Sequence, residues 1–498
     1  MPSISASETP NSDVLVVGLS KVEVKGGATS ELRIQSAGIK LDEKHLLKTL
    51  ADMGAEGARD EVIKIPGADK KLLIFSGLGK YFDNYPNETL RAAAGAAARS
   101  LLGLKSATFS LPHRDSLGFA AIAEGALLGS YSFDKFRGRT KATQKSPLTT
   151  IEIHSKFGRE KAILRRAEII AKHTFLVRDL VNTPPSHLTP ITFCDALRPL
   201  AKQLSLKVEI LTDAQLKKSG YGGIIGVGQG SANPPRLLHI SYQPKTAKKS
   251  LAFVGKGITF DTGGLALKPA QGMEAMKSDM SGAAAVCAAV LAIAELKSPI
   301  RIDAWAPLAE NMVSDNATRP SDVIKIYGGK TVEVLNPDAE GRLILADALV
   351  RAAEVAKADR RRKFEGLVDV ATLTGAQVVA LGTRTSAVMT NDDSLSKRFL
   401  NCAEASGELF WPMPLPEDLR ASLDSPVADI ANIGERMGGM LVAGLFLKDF
   451  IAPETPWLHL DIAGPAYNEK RPHGYTPVGG TGVALRTLVA LAEATARR

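Results

Sequence analysis

Short apolar runs that end in glycine alternate with alanine- and leucine-rich stretches, and this alternation limits the possible folds more than any other feature. Residues 13–18 (DVLVVG) and 72–79 (LLIFSGLG) have the composition of buried strands. Residues 43–53 and 89–102 (TLRAAAGAAARSLL) have the composition of helices. Strands that alternate with helices form mostly parallel sheets covered by helices. The sequence therefore predicts an α/β fold.

The chain has 498 residues, which is too long for one ordinary hydrophobic core and predicts more than one domain. We expect a smaller N-terminal α/β domain at residues 1–158, with residues 1–11 disordered. A linking helix is expected at 159–181, because the Asn-Thr-Pro-Pro that follows it cannot continue a helix. Residues 182–498 are expected to form a larger C-terminal α/β domain with a central mixed sheet flanked by helices.

Composition and cysteine use predict a cytoplasmic globular protein. Hydrophobic residues make up 45% of the chain and charged residues 23%. Three cysteines stand far apart without a CxxC pair, which is typical of a reducing compartment. The N-terminal residues lack the charged and then apolar pattern of a secretory signal. The longest apolar helical run, 283–294, is too short to cross a bilayer, so we expect no membrane partner.

The net charge of +9 permits contact with nucleic acid but does not require it. Most cations are scattered, and short clusters occur at 245–249 and 360–363. The favoured interpretation is that these clusters are solvated faces and loops. Nucleic-acid binding stays open as an alternative or additional function, and a salt-dependent gel shift would detect it.

The most informative segment is 334–343 (VLNPDAEGRL), which carries two carboxylates and a guanidinium at alternate positions. In an extended chain, alternate side chains share one side, so Asp338, Glu340 and Arg342 would point together. Gly341 would let the backbone bend close beneath them. Residues 343–357 have the composition of an apolar helix. A solvated loop with a salt bridge explains this segment equally well if it is considered alone.

Upstream segments place more polar residues at predicted strand ends. Lys256 and Asp261 follow the buried strand 250–254 among glycines (GKGITFDTGG), at the edge of a parallel sheet where active sites gather. Asp279 opens an alanine-rich helix, where a simple N-cap is the alternative interpretation. The glycine-rich segment 220–231 is expected to be a turn. It does not fit a dinucleotide-binding loop, because Asn-Pro-Pro interrupts any following helix.

Seven polar residues therefore stand at strand ends or helix starts: Lys256, Asp261, Lys268, Asp279, Asp338, Glu340 and Arg342. Four carboxylates in one crevice repel one another unless cations compensate them. Two divalent ions would complete that compensation and create a hydrolytic site. Oxygen ligands with one lysine amine suit Mn²⁺, Mg²⁺ or Zn²⁺. A lysine ligand must be neutral, which costs about 4–5 kcal/mol that the metal bond must offset.

The motifs VGKGITFDTGG, MKSDMSGAAAV and NPDAEGRL, with Lys268 between the first two, resemble the leucyl aminopeptidase (cytosol aminopeptidase) family of dinuclear metallopeptidases. The resemblance continues through DVATLTGA (369–376), VADIANI (427–433) and HLDIAGP (459–465) and covers about residues 180 to 495. It implies a metal-dependent aminopeptidase. A catalytically silent scaffold is the other alternative, and the complete polar set argues against it.

The resemblance also implies residue roles. Lys256, Asp261, Asp279 and Glu340 would hold one ion. Asp261, Asp338 and Glu340 would hold the second. Lys268 and Arg342 match the catalytic positions, and Arg342 would carry a bicarbonate, the proton shuttle, near the backbone of Leu373 and Gly375.

Further expectations concern the substrate and assembly. The positions that match the family's substrate pocket are Lys268, Met276, Thr372, Ala463 and Ala466. Because Ala466 is small, we expect a roomy pocket that accepts Leu or Met. A homohexamer is implied by the resemblance alone. The family usually has Thr where this chain has Pro337, which an extended loop tolerates. Asp461 is expected to be structural.

Overall fold

The computed structural model describes residues 1–23, 30–67, 70, 72–157 and 161–497. The chain divides into two compact units. Unit 1 contains Met1–Phe175 and Glu469–Val478, and unit 2 contains Leu176–Asn468 and Gly479–Arg498. The predicted boundary at 158 and the first residues of the predicted linking helix lie outside the described residues, so the domain limits stay a prediction.

Unit 1 contains one seven-stranded mixed sheet with helices, in agreement with the predicted α/β class. Its strands are β1 (Ser3–Ser7), β2 (Val14–Glu23), β3 (Ser30–Gln35), β4 (Val62–Ile65), β5 (Leu72–Lys80), β6 (Ser106–Ser110) and β7 (Thr150–His154); its helices are α1 (Glu43–Asp52), α2 (Asn87–Ser100), α3 (Ser116–Gly129) and a 3₁₀ turn at Arg139–Thr143. The strand order is β1-β7-β6-β2-β5-β4, with β3 beside β2. Helix α4 (Lys161–Asn182) includes the point of division between the units.

The prediction that residues 1–11 are disordered is wrong for Ser3–Ser7. Ser3–Ser7 is not a disordered tail but strand β1, which pairs in parallel with β7. Ser3 aligns with Thr150 and Ser7 with His154. The segment is short and polar, so it has no hydrophobic pattern of its own. It is ordered because an edge strand of the sheet offers free backbone hydrogen-bonding groups.

Unit 2 is built on a nine-stranded mixed sheet, as predicted for the larger domain. Its strands are β8 (Lys207–Leu211), β9 (Arg236–Tyr242), β10 (Lys249–Gly255), β11 (Gly257–Asp261), β12 (Arg301–Asn311), β15 (Lys363–Ala371), β16 (Ser386–Thr390), β17 (Phe410–Pro412) and β19 (Trp457–Asp461). The order is β17-β16-β19-β15-β10-β12-β9-β8, with β11 beside β12.

Two smaller sheets and the helices complete unit 2. One sheet contains β13 (Asp322–Lys325), β14 (Thr331–Val334) and β18 (Ile430–Ala431), in that order. The other contains β20 (Tyr467–Asn468) and β21 (Gly479–Gly480). The helices are α5 (Pro190–Gln203), α6 (Asp213–Ser219), α7 (Gly222–Gly228), α8 (Ser281–Glu295), α9 (Gly341–Ala358), α10 (Gly375–Leu381), α11 (Asp393–Ser406), α12 (Gly439–Lys448) and α13 (Leu485–Arg497), with 3₁₀ turns at Met273–Ser278 and Glu417–Leu423.

The parallel centre of the large sheet determines where polar side chains meet. Strand β10 pairs in parallel with both β12 and β15, and β15 pairs in parallel with β19. The carboxyl ends of these four strands therefore lie along one edge. Lys256, Asn311, Thr372 and Asp461 stand at or directly after those ends. Strand β14 likewise pairs in parallel with β18, and in the same register residue 432 lies beside residue 334.

Helix α8 and the 3₁₀ turn before it form a longer apolar run than the sequence pattern indicated. Met273–Glu295 is long and apolar enough to cross a membrane by length and composition alone. However, 94% of the apolar stretch within it is buried inside the protein. Residues 281–293 of α8 are almost completely buried against β10, β12 and β15. The run therefore has the burial of a core helix.

The prediction of a turn at the glycine-rich segment 220–231 is also wrong in part, because Gly222–Gly228 forms helix α7. A Cβ at Gly223 would lie 2.2 Å from the carbonyl oxygen of Leu343 at the start of α9. A side chain at this position would therefore collide with backbone, and glycine allows the two helices to pack at close range. Here the glycines serve helix packing.

Candidate metal centre

Lys256 follows β10 directly and is almost completely buried. Its Nζ donates hydrogen bonds to Asp279 Oδ1 at 2.9 Å and to the carbonyl oxygen of Thr372 at 2.8 Å. The same nitrogen lies 2.9 Å from Glu340 Oε1. One ammonium thus contacts carboxylates from two distant segments of the chain and the backbone carbonyl group that follows β15.

Asp279 is not an N-cap, which corrects the simpler interpretation of its position. The N-cap residue of α8 is Met280, and no side chain donates or accepts a capping hydrogen bond there. The Asp279 carboxylate turns toward the sheet edge, where it accepts from Lys256 and from Thr372 Oγ1 at 2.7 Å. Asp279 is 6% exposed, so these two contacts replace solvent for a buried charge.

Asp261 ends β11 and is held by three donors. Its Oδ1 accepts from the amide of Gly263 at 2.9 Å and from Asn311 Nδ2 at 2.8 Å. Its Oδ2 lies 2.9 Å from Lys268 Nζ. Lys268 also forms a close ion pair with Asp338. Asp261 is 2% exposed, whereas the Lys268 side chain is 21% exposed and reaches toward solvent.

The acidic loop after β14 brings Asp338 and Glu340 to the same place as Asp261, but not as an extended strand. Residues 337 and 338 form a turn, Glu340 is the N-cap of α9 in helical conformation, and Arg342 lies inside the helix. The backbone here is therefore not extended as predicted, and the predicted alternation of side chains is wrong. Oxygen atoms from Asp261, Asp338 and Glu340 nevertheless lie within 4.8 Å of one another.

Negative charge exceeds positive charge in this cluster, because four carboxylates meet two ammonium groups. Burial raises the pKa of Asp279 to about 6; the Lys256 ammonium opposes this rise, and the charge of Asp261 adds to it. Burial and the charge of Asp261 likewise raise the pKa of Glu340 to about 8. Protons would neutralise such groups without added cations, whereas bound cations would keep them ionised.

The two lysines respond in the opposite sense. Burial disfavours the charge of Lys256, but the carboxylates of Asp279, Glu340 and Asp261 outweigh burial and raise the pKa of its ammonium. Burial also opposes the charge of Lys268, and Asp261 and Asp338 raise its pKa. Each lysine therefore holds its proton tightly in the protein alone.

The donor set fits divalent cations. Asp279 Oδ2 and Glu340 Oε1 lie within 2.9 Å of Lys256 Nζ, yet neither has a partner in hydrogen-bonding geometry among the described residues. Buried carboxylate oxygens without aligned donors are suited to bind an ion. Carboxylates outnumber cations, and hard oxygen ligands dominate the site. These properties match the ligand preferences of Mn²⁺, Mg²⁺ and Zn²⁺.

Comparison with known proteins agrees with this geometry. Residues 175–489 match the model of the catalytic domain of the cytosol aminopeptidase family, and residues 13–140 match its N-terminal domain. The chain belongs to the cytosol aminopeptidase family. This family consists of metal-dependent enzymes that hydrolyse the N-terminal residue of peptides, so the chain is a metallo-exopeptidase, as the sequence motifs indicated.

Full-length relatives support the assignment. A protein of Streptomyces avermitilis named probable cytosol aminopeptidase is 50% identical, and the match covers 99% of this chain and 98% of the relative. One of Streptomyces coelicolor with the same name is 48% identical, with 99% and 97% covered. The solved bottromycin maturation enzyme BotP in complex with Mn is 38% identical, has a TM-score of 0.84, and matches over 98% of this chain and all of that chain.

In this cytosol aminopeptidase, the Arg342 guanidinium contacts Asn432 and Phe446. Its Nη1 donates to the carbonyl oxygen of Asn432 at 2.7 Å, and the guanidinium lies over the Phe446 ring at 5.8 Å. Burial lowers its pKa to about 10, although the charges of Glu340 and Asp461 oppose that effect. Among the described residues, Arg342 Nε has no hydrogen-bond partner. This Nε is a buried donor that the described part of the chain leaves unpaired.

The backbone positions predicted near Arg342 differ from each other. The Leu373 amide donates to Asp461 Oδ1 at 3.1 Å, so this N–H already has a partner. Gly375 is the first residue of α10, where backbone amides lack partners within the helix. A Cβ at Gly375 would meet no atom within 4 Å, which indicates open space beside it.

The predicted pocket residues differ in accessibility. Met276 and Ala463 are partly exposed, and Thr372 is 9% exposed. Ala466 is only 1% exposed, and its amide donates to the carbonyl oxygen of Ile462 at 3.0 Å. A substrate could contact Ala466 only after its neighbours moved.

Two buried asparagines support the site without having been recognised from their residue type. Asn311 Nδ2 donates to both Asp261 Oδ1 and the carbonyl oxygen of Pro337, at 2.8 and 3.1 Å. Asn432 bonds to the acidic loop and is fully buried. The motif at 427–433 contained Asn432, which was a usable signal. Asn311 ends a long hydrophobic strand, and no local pattern distinguished it.

One basic cluster is compensated locally. Arg361 Nε lies 3.3 Å from Asp359 Oδ1, and Arg362 Nη1 lies 2.7 Å from Asp359 Oδ2. Lys363 Nζ lies 2.9 Å from Glu365 Oε1. These pairs agree with a structural interpretation of the cluster at 360–363.

Proposed function

We propose that this aminopeptidase hydrolyses the first peptide bond of a bound peptide with two divalent ions held by its carboxylate cluster. The convergence of Asp261, Asp338 and Glu340 within 4.8 Å carries the proposal. Asp279 and Lys256 adjoin the same cluster and supply a second set of ligands. Two adjacent ligand sets that share carboxylates are the arrangement that a pair of ions requires.

In this proposal, Lys256, Asp261, Asp279 and Glu340 hold one ion. Asp261, Asp338, through its side chain and its carbonyl oxygen, and Glu340 hold the other. Asp261 and Glu340 would belong to both ligand sets. Because the Lys256 ammonium has a raised pKa, loading the first set must release a proton, and metal uptake should be favoured by higher pH.

The metal identity is proposed from ligand chemistry. A ligand set of carboxylate oxygens and one amine suits Mn²⁺ or Zn²⁺. It suits Mg²⁺ less well, because Mg²⁺ prefers oxygen ligands to an amine. The related BotP structure in complex with Mn supports Mn²⁺ as the first ion to test.

When bound, divalent ions lower the pKa of a water molecule and polarise a carbonyl group. Lys268 would supply the protein's own contribution to the reaction. Its ammonium is partly exposed and remains charged, since Asp261 and Asp338 raise its pKa. A fixed cation at this point would stabilise the negative oxygen that develops as the peptide carbonyl is attacked.

Arg342 would hold a bicarbonate, which would supply general acid–base chemistry at this point. The unpartnered Arg342 Nε and the helix start at Gly375 support an anion site. The Leu373 amide is less available than the family resemblance implied, because Asp461 accepts its hydrogen bond.

We propose a preference for Leu, Met and other apolar first residues. Lys268, Met276, Thr372, Ala463 and Ala466 are the proposed contacts, and Ala466 would need its neighbours to move. Comparing turnover of Leu-, Met- and Gly-anilides tests this preference, and a preference for Gly would refute it. The names of the relatives support a cytoplasmic location. A homohexamer is proposed by family resemblance, and light scattering measures it.

A metal-exchange assay tests the proposed function. Purified protein is stripped with EDTA and then assayed on leucyl-p-nitroanilide with and without added Mn²⁺. We expect no turnover after stripping and recovery on addition of Mn²⁺. An N-acetylated leucyl substrate serves as the control, since an exopeptidase needs the free amine. Turnover that survives EDTA, or equal turnover of the blocked substrate, would refute the proposal.

A further inference from the structure

Asn432 directly follows β18, and the acidic loop directly follows β14. The two strands pair in parallel, with Val332 beside Ile430 and Glu333 beside Ala431. The chain therefore leaves both strands in the same direction, and residue 432 lies beside the start of the loop. The backbone amide of Asn432 donates to the carbonyl oxygen of Glu333 at 2.9 Å, which continues the pairing by one residue.

The Asn432 side chain bonds to the backbone of the loop along most of its length. Its Oδ1 accepts from the amides of Leu335 and Asn336, at 2.8 and 3.2 Å. Its Nδ2 donates to the carbonyl oxygen of Asn336 at 2.7 Å and to that of Ala339 at 3.4 Å. One fully buried amide thus satisfies four backbone groups of the segment that carries Asp338 and Glu340.

Two further amides of the loop, those of Asp338 and Ala339, are satisfied within the loop. The Asp338 amide donates to Asn336 Oδ1 at 2.9 Å, and the Ala339 amide donates to the carbonyl oxygen of Asn336 at 3.0 Å. Pro337 has no amide hydrogen, so it leaves no donor unpaired. Its carbonyl oxygen accepts from Asn311 Nδ2. Pro337 therefore fits a loop whose backbone Asn432 contacts through four hydrogen bonds.

The same residue also contacts the other half of the site. The carbonyl oxygen of Asn432 accepts from Arg342 Nη1 at 2.7 Å. Asn432 thus holds the acidic loop with its side chain and the guanidinium with its main chain.

We propose that Asn432 is a positioning residue that sets the loop of Asp338 and Glu340 relative to Arg342. The inference rests on the proposed function, because it assigns these three residues to the ions and the proton shuttle. Residues that orient metal ligands typically affect metal affinity by about 10–100-fold. Asn432 touches neither substrate nor ion in this scheme and acts through the loop.

Metal affinity measured apart from activity tests the proposal. Stripped wild-type protein, Asn432→Ala and Asn432→Asp are titrated with Mn²⁺ by calorimetry. We expect both variants to bind Mn²⁺ at least about tenfold more weakly than wild type. Asn432→Asp keeps an acceptor for the Leu335 and Asn336 amides but loses the donor to the Asn336 carbonyl. Because this carboxyl group is fully buried beside two carbonyl oxygens, urea unfolding of both variants is measured first, and the affinity of each folded variant is compared with that of wild type.

Asp429→Asn is the matched control. Asp429 Oδ2 accepts from the amide and hydroxyl of Thr331 at 2.8 and 2.9 Å, so it joins the same two strands at their other end. We expect this variant to lose some stability in urea and to keep wild-type Mn²⁺ affinity. Wild-type affinity in a folded Asn432→Asp protein, or an equal loss in Asp429→Asn, would overturn the inference. Absence of Mn²⁺ binding by wild type would instead overturn the proposed function.

Discussion

Asp461 Oδ2 accepts a hydrogen bond from Thr374 Oγ1 at 2.8 Å, so the end of β19 is attached to the turn that follows β15. Its Oδ1 accepts from the amides of Leu373 and Ala463, at 3.1 and 3.2 Å. A completely buried carboxylate with three donors is a structural anchor, in agreement with its expected role. Through Thr374 it also fixes the N-terminus of α10 beside Gly375.

This anchor predicts different results for two substitutions. Asp461→Ala leaves the Leu373 and Ala463 amides without an acceptor and should destabilise the protein by about 1–3 kcal/mol. Asp461→Asn keeps one oxygen for both amides, and its NH₂ can donate to Thr374 Oγ1, so its cost should be clearly smaller. Urea unfolding of both variants measures the difference. Equal stabilities for the two would contradict the anchor role.

Replacing Lys268 should impair catalysis rather than folding. Lys268→Met removes the partly exposed ammonium that we assign to the developing oxyanion, and kcat/KM should fall by about 10²–10³. Lys217→Met is the control, because Lys217 is exposed and stands in α6. Steady-state kinetics on leucyl-p-nitroanilide measures both. A loss of less than about threefold in Lys268→Met would remove this residue from the mechanism.

Ionised Asp303 is expected to stabilise the folded protein, so part of this stability should be lost in acid. Burial raises its pKa, but His239 Nε2 at 2.9 Å and Arg301 Nε at 2.7 Å outweigh burial and lower it below its ordinary value. Between the lowered pKa and the unfolded value of about 3.9, the unfolded chain binds more protons. The stabilisation is therefore present above about pH 4 and is lost as pH falls.

Urea midpoints measured from pH 6 down to pH 3 check this contribution. Asp303→Asn should be less stable than wild type at pH 6, and the gap should narrow toward pH 3. A constant gap across this range would show that ionisation of Asp303 does not contribute.

Unit 1 offers a steric test. A Cβ at Gly95 in α2 would lie 2.5 to 2.7 Å from Tyr475 atoms, two of which are backbone. Ala normally stabilises a helix relative to Gly by about 1 kcal/mol. We expect Gly95→Ala to destabilise instead, because residues 469–478 would have to shift. Gly439→Ala in α12 is the control, since its nearest contact is 3.8 Å. Thermal unfolding of both variants measures the sign.

Much of the site could be predicted from residue types and local patterns. Buried strands followed by glycine and a charged residue identified Lys256 and Asp261, and the excess of carboxylates indicated cations. The helix cap at Asp279 was an alternative interpretation and the extended acidic loop was the expectation, and both were wrong. In each case a distant partner decided the conformation: Lys256 and Thr372 for Asp279, and Asn432 for the loop.

By itself, the sequence determined the α/β class, the two-part organisation and the chemistry of the candidate ligands, because periodicity and residue type are local properties. Tertiary structure alone decided that Ser3–Ser7 forms a strand, that α7 packs closely on α9, and that Asn432 lies beside the acidic loop. These features arise from pairing between distant segments, such as Ser3 with Thr150. Hydrogen bonds across such separations depend on strand order and direction, which no single segment encodes.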